Sequence, residues 1–196
     1  MKLFMREKLR QIFKYIKRAV LICVGIAFLV HVNLTDNMVY YASHLPHKEG
    51  TYPLIALTVD SLYDCERPDD GTYKYDFDGG PCIIIPKEDG WCEYLDHYGT
   101  NFCFSESKHV KDDNRTISYE IHYEFNDAFQ LISAHGEKTT CDGDMWYTEQ
   151  LPTLSEQEVI EKINTELQPL VDYNLKNVSL LNLQFLFNMI YGPRFN

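Results

Sequence analysis

From Ala19 to Val32 the chain sets fourteen residues in a row of which only His31 is polar, directly after Lys17 and Arg18. Such a run targets a membrane: either a signal peptide that is cut away or an anchor that stays. Cleavage needs small residues one and three positions before the cut. Beyond the run, Ala42 follows Tyr40 and Ser43 follows Tyr41 at that spacing, so a retained transmembrane anchor over residues 19–34 is the expectation. Upstream, Leu9, Ile12, Phe13 and Ile16 recur at helical spacing among Arg10, Lys14 and Lys17, a pattern suited to lying on an anionic membrane surface. Residues 35–50, polar and broken by Pro46 and Gly50, read as a linker.

Past residue 51 the pattern turns to short elements. Leu54–Val59 is apolar and β-leaning, and Tyr73, Tyr75 and Phe77 alternate with polar residues, so both read as strands. Cys82–Pro86 and Trp91–Leu95 flank Lys87–Gly90 as a hairpin with a four-residue loop. That register sets Ile85 opposite Cys92 and puts Cys82 and Cys92 on opposite faces. The clearest strand is Ile117–Phe125, where Ile117, Tyr119, Ile121, Tyr123 and Phe125 alternate with polar residues; Asn126-Asp127 turns the chain and Phe129–Ala134 returns beside it.

Ser155-Glu156-Gln157-Glu158 is a capping box that starts a helix with the stripe Val159, Ile160, Ile163 and Leu167, ended or kinked at Pro169. In the tail, Asn182, Gln184 and Asn188 share a parity, which favours a closing strand. A second transmembrane helix there would bury these amides in hydrocarbon without partners. The expected fold class is therefore α+β: an N-terminal transmembrane helix, then a small disulfide-containing domain (51–196) with antiparallel hairpins and a C-terminal helix.

Charge sharpens this picture. Residues 1–32 carry seven Lys and Arg against one Glu, a net +6, while the rest carries eleven basic and twenty-eight acidic residues, a net −17. Basic residues flanking a first span stay in the cytoplasm, so residues 1–18 form a cytoplasmic arm and the acidic domain lies outside, periplasmic or extracellular. At −17 it repels nucleic acid and is steered toward basic surfaces.

An exported domain favours paired cysteines. Of the five beyond the span, Cys65 with Cys82 and Cys92 with Cys103 are the expected bridges, leaving Cys141 as a free or intermolecular thiol. A zinc site from Cys92, His97, Cys103 and His109 lacks the usual two-residue spacing. Asp76, Asp78, Asp142 and Asp144 group hard oxygen ligands in acidic turns but complete no calcium loop. Serine-nucleophile, phosphate-loop and zinc-protease motifs are absent, no cofactor is implied and no residue is singled out as catalytic. The sequence thus points to a membrane-anchored protein-binding module, with a basic partner such as a cationic toxin or an envelope protein. The alternative is an extracytoplasmic hydrolase or metal-dependent enzyme built on His and Asp/Glu residues.

Overall fold

The computed structural model describes every residue except 1, 64, 65, 79, 80, 113, 114, 177, 179 and 180, and the side chains of residues 2–10 and 98. It is an α+β structure in which an N-terminal apolar helix, α1 (Lys2–Asp36), leads into a seven-stranded antiparallel sheet with helices on one face.

The apolar run is short for a bilayer, but α1 continues it at both ends. Gln11–Asp36 is long and apolar enough to cross a membrane, with almost all of its side chains outside the protein's own core. Its 26 residues measure about 39 Å along the axis, more than a hydrocarbon core needs. At its far end the helix enters the domain: Leu34 is buried and Val30 packs against the same core.

The segment 35–50 is not a linker. After a break at Asn37, α2 (Met38–Ser43) buries Met38, Val39, Tyr41 and Ala42, and Leu45 follows them into the core. Tyr41 is the pivot. Its hydroxyl lies within hydrogen-bond distance of two acceptors, Asn33 Oδ1 (2.8 Å) and Leu181 O (2.9 Å), which share its one proton, and it accepts from Leu183 N (3.0 Å). Leu54–Val59 is likewise no strand but part of α3 (Pro53–Asp60), which Pro53 initiates with its preset φ and its missing amide donor. Ile55, Ala56, Leu57 and Val59 all lie inside, so no polar face existed to betray the helical period.

The sheet runs β1 (Lys74–Asp76), β2 (Cys82–Pro86), β3 (Cys92–Tyr98), β4 (Asn101–Asp112), β5 (Arg115–Phe125), β6 (Leu131–Asp142) and β7 (Met145–Gln150), each paired with its sequence neighbour. The β2–β3 register differs by one residue from the expected one: Pro86 faces Cys92 and Cys82 faces Asp96, because the Lys87 amide bonds to Trp91 O. Cys82 and Cys92 therefore share a face. Between β5 and β6, Asn126 Oδ1 accepts from the amides of Ala128 and Gln130, and Phe129 takes a left-handed φ of 62° that drives its ring into the core against Phe125 and Phe102.

One sheet face carries the core residues Ile83, Ile85, Leu95, Phe102, Phe104, Tyr123 and Phe125. Helix α4 (Glu156–Leu175) supplies Val159, Ile160, Ile163, Leu167, Leu170 and Val171 to that core, and the Ser155–Glu158 capping box is formed as expected. Pro169 does not end α4. It sits on the exposed side while Leu170 and Val171 beyond it are buried, and their burial offsets the roughly 3 kcal/mol that an interior proline costs. The tail is a helix, α5 (Gln184–Phe195), not a closing strand. Phe187 and Phe195 are buried, and Arg194 donates to Asp60 Oδ2 (2.5 Å) and Asp127 O (2.6 Å).

Candidate interaction surface

The helices cover only part of the sheet. Along β5, Tyr123 and Phe125 are buried, Ile117, Tyr119 and Ile121 half-buried, and Arg115 and Thr116 exposed, so the strands run out beyond the core. On the face opposite the helices the described side chains are half-buried or exposed. Cross-strand pairing there aligns Asp76, Cys82, Asp96, Cys103, Glu124 and Ser133 in one row. A second row holds Tyr94, Ser105, His122 and His135, and a third Cys92, Ser107, Glu120, Glu137 and Gln150. Carboxylates recur in these rows, with histidines between them.

Glu124 is fixed by Asn101 Nδ2 (2.6 Å) and Ser133 Oγ (3.2 Å), and His135 Nε2 lies 3.3 Å from Glu137 Oε2. Burial raises the Asp96 carboxyl above its ordinary value, against the opposing pull of His122, the Cys103 thiol and His97. A half-buried carboxylate so placed gains from any cation brought to it.

Four cysteines occupy this face as thiols. Cys82, Cys92, Cys103 and Cys141 are unbridged, and Cys65 lies outside the described residues, so its expected bridge to Cys82 is not described. The Cys92–Cys103 bridge is not formed. Cys103 pairs with Asp96, four residues from Cys92 along β3, which leaves the two roughly 13 Å apart, beyond the reach of a disulfide. Cys141 faces Thr116 and Trp146, and its Sγ lies 3.4 Å from Gly143 O.

Burial, then the neighbouring carboxylates, pushes both Cys82 and Cys103 up to about 11. Thiols so held are poor nucleophiles. Both should alkylate about tenfold more slowly at neutral pH than an ordinary exposed cysteine, after allowing for the greater intrinsic reactivity of a more basic thiolate. Timed labelling with iodoacetamide and peptide mass analysis reads this; labelling as fast as free cysteine would show that neither burial nor the neighbouring carboxylates hold these thiols up.

The acidic turns are ordinary turns. Asp76 Oδ1 accepts from Asp78 N (3.0 Å), and Asp142 pairs with Arg115 Nε (2.9 Å) beside the two-residue Gly143-Asp144 loop, where Gly143 takes a φ of 61°. Asp76 and Asp142 lie on β1 and β6, at opposite sides of the sheet. Among the described residues no three His, Cys, Asp or Glu side chains are grouped to hold a metal ion. His97 and His109, weighed together for zinc, have separate partners: His97 Nδ1 meets Asp60 Oδ1 at 2.8 Å on the helix side, and His109 Nδ1 meets Ser118 Oγ at 2.9 Å.

Sequence reasoning passed over β7. Every one of its residues is exposed, including Met145 (59%), Trp146 (70%) and Tyr147 (52%), and among the described residues its outer edge pairs with no other strand. Neither face of β7 is covered, so it shows none of the alternation by which a half-buried strand is recognised; its aromatic content was the available signal. No protein family model matches the chain, and no characterised protein or solved structure is detectably similar to it.

Proposed function

We propose that this chain is a single-pass membrane protein, held with its basic arm in the cytoplasm and its acidic domain outside, that binds a protein partner along β7 and the open sheet face. The observation that carries the reading is β7 itself. An unpaired strand edge is a template for another chain, and natural proteins usually blunt it with charge, proline or a covering element. Here it is left open and lined with Trp, Tyr and Met, residue types that dominate binding energy at interfaces. The adjoining rows of Asp and Glu, with the half-buried Asp96, favour a basic partner.

The test is co-purification from native membranes, comparing the full-length chain with its Trp146→Ala variant. Trp146 is 70% exposed, so the variant should keep its unfolding midpoint. A hot-spot loss of about 2 kcal/mol would weaken a stoichiometric partner about thirtyfold, and raised salt should release it from the parent chain as well. Equal recovery by both chains would remove β7 from the interface.

A further inference from the structure

Helix α5 is apolar on both sides. Its inner side buries Phe187 and Phe195, yet Phe185 is 81% exposed, Met189 60% and Ile190 51%, with Leu181 just before the helix at 55%. A helix apolar all round needs cover on every side. The fold shows where that cover lies. The Tyr41 hydroxyl ties Asn33, the first polar residue after the apolar run of α1, to Leu181 and Leu183 at the entrance to α5. Gln184 Nε2 adds a bond to Tyr41 O (3.0 Å), and the rings of Tyr41 and Phe187 lie 5.2 Å apart. The start of α5 is thus held at the level where α1 changes from apolar to polar.

Charge points the same way. Residues 33–196 carry a net −17, yet from Tyr173 to Asn196 the chain has no Asp or Glu, only Lys176 and Arg194. A patch facing water or a basic partner had no need to shed its carboxylates, whereas one lying among lipid headgroups did.

From this we infer that α5 is a second membrane element, lying in the outer interface of the bilayer beside the exit of α1, with Phe185 and Met189 inserted among the acyl chains. The domain then rests on the membrane, fixed by α1 and α5 together, instead of hanging from a stalk. This rests on α1 being a retained anchor.

The experiment reconstitutes full-length Phe185→Trp in phosphatidylcholine nanodiscs whose acyl chains are brominated near the headgroup, and compares its fluorescence with that of the parent chain, which carries Trp91 and Trp146. Phe185 lies outside the core, so the substitution leaves the fold in place, and Met189→Trp repeats the measurement one turn on. Added emission that is blue-shifted and largely quenched by the brominated lipid is the expected result. An anchored chain whose added Trp emits as in water overturns the inference alone, as does cross-linking of that position to a second copy of the chain. A shortened, water-soluble chain overturns the anchor and this inference with it.

Discussion

Removing Leu180–Asn196 should leave no stably folded domain. The deletion takes away Phe187 and Phe195, both fully buried, and emptying one such site typically costs about 3–5 kcal/mol against a total stability of about 5–15 kcal/mol. It also strips partners from the remaining chain. Lys48 N and Thr51 Oγ1 both donate to Phe195 O, at 2.8 and 3.1 Å, and Asp60 loses Arg194. Phe187→Ala is the graded form of the same test and should lower stability by about 3 kcal/mol in denaturant titration of the detergent-solubilised chain. A truncated chain that still unfolds cooperatively at the parent midpoint would show that α5 is not part of the core.

Lys162→Met should cost about as much as a core cavity, because it strands two carboxylates. Glu93 and Glu106 lie directly opposite each other on β3 and β4 and point toward the helices, where their side chains are only 4% and 11% exposed. Like charges so placed repel, and two cations hold them. Lys162 on α4 bridges Glu93 (2.9 Å) and Glu106, while Lys87 joins Glu93 (3.1 Å) to Glu166 (2.5 Å). Breaking a buried pair from one side costs about 3–5 kcal/mol, with the low end fitting here because Lys162 is 30% exposed. Adding Glu93→Gln and Glu106→Gln to Lys162→Met should recover most of the loss, since no unpaired charge then remains. Failure of that rescue would assign the loss to packing.

The same cluster sets an alkaline limit. Burial pulls the Lys162 ammonium down, but its bonds to Glu106 and Glu93 outweigh this and hold it above the ordinary 10.5. A raised folded value stabilises the charged form, so the contribution is complete below about 10.5 and disappears as pH rises through the folded value. Tyr73, pushed up to about 12 mainly by burial, acts in the same direction: above pH 10 the unfolded chain loses a proton that the folded one keeps. Unfolding midpoints should therefore fall above pH 10, and less steeply in Lys162→Met. A decline of equal slope in both would place its cause elsewhere.

Where both signal and cause are local, the sequence by itself determined the outcome. The apolar run Ala19–Val32 is helical because a helix satisfies its own backbone without partners. The Ser155–Glu158 box closes within a single turn, and β5 alternates because its near half meets a core on one side only. The −17 charge of residues 33–196 needs no fold to be read.

What required tertiary structure were the elements whose state depends on what covers them. Leu54–Val59 is apolar but for Thr58, which is itself buried, so its period was silent, and packing against α2, α4 and β3 made it helix. The shared parity of Asn182, Gln184 and Asn188 resembled a strand, but Gln184 and Asn188 bond to each other one helical turn apart (2.7 Å), and Tyr41 gives the segment its anchorage. Residues 35–50 looked like a tether because their apolar residues are few, yet Met38, Tyr41, Ala42 and Leu45 enter a core that they share with α3 and with α4 and α5, the last two more than a hundred residues away. Local sequence cannot supply such partners; only the packed chain does, and it also decides which carboxylates are buried, which sheet face stays open and which edge is left unpaired.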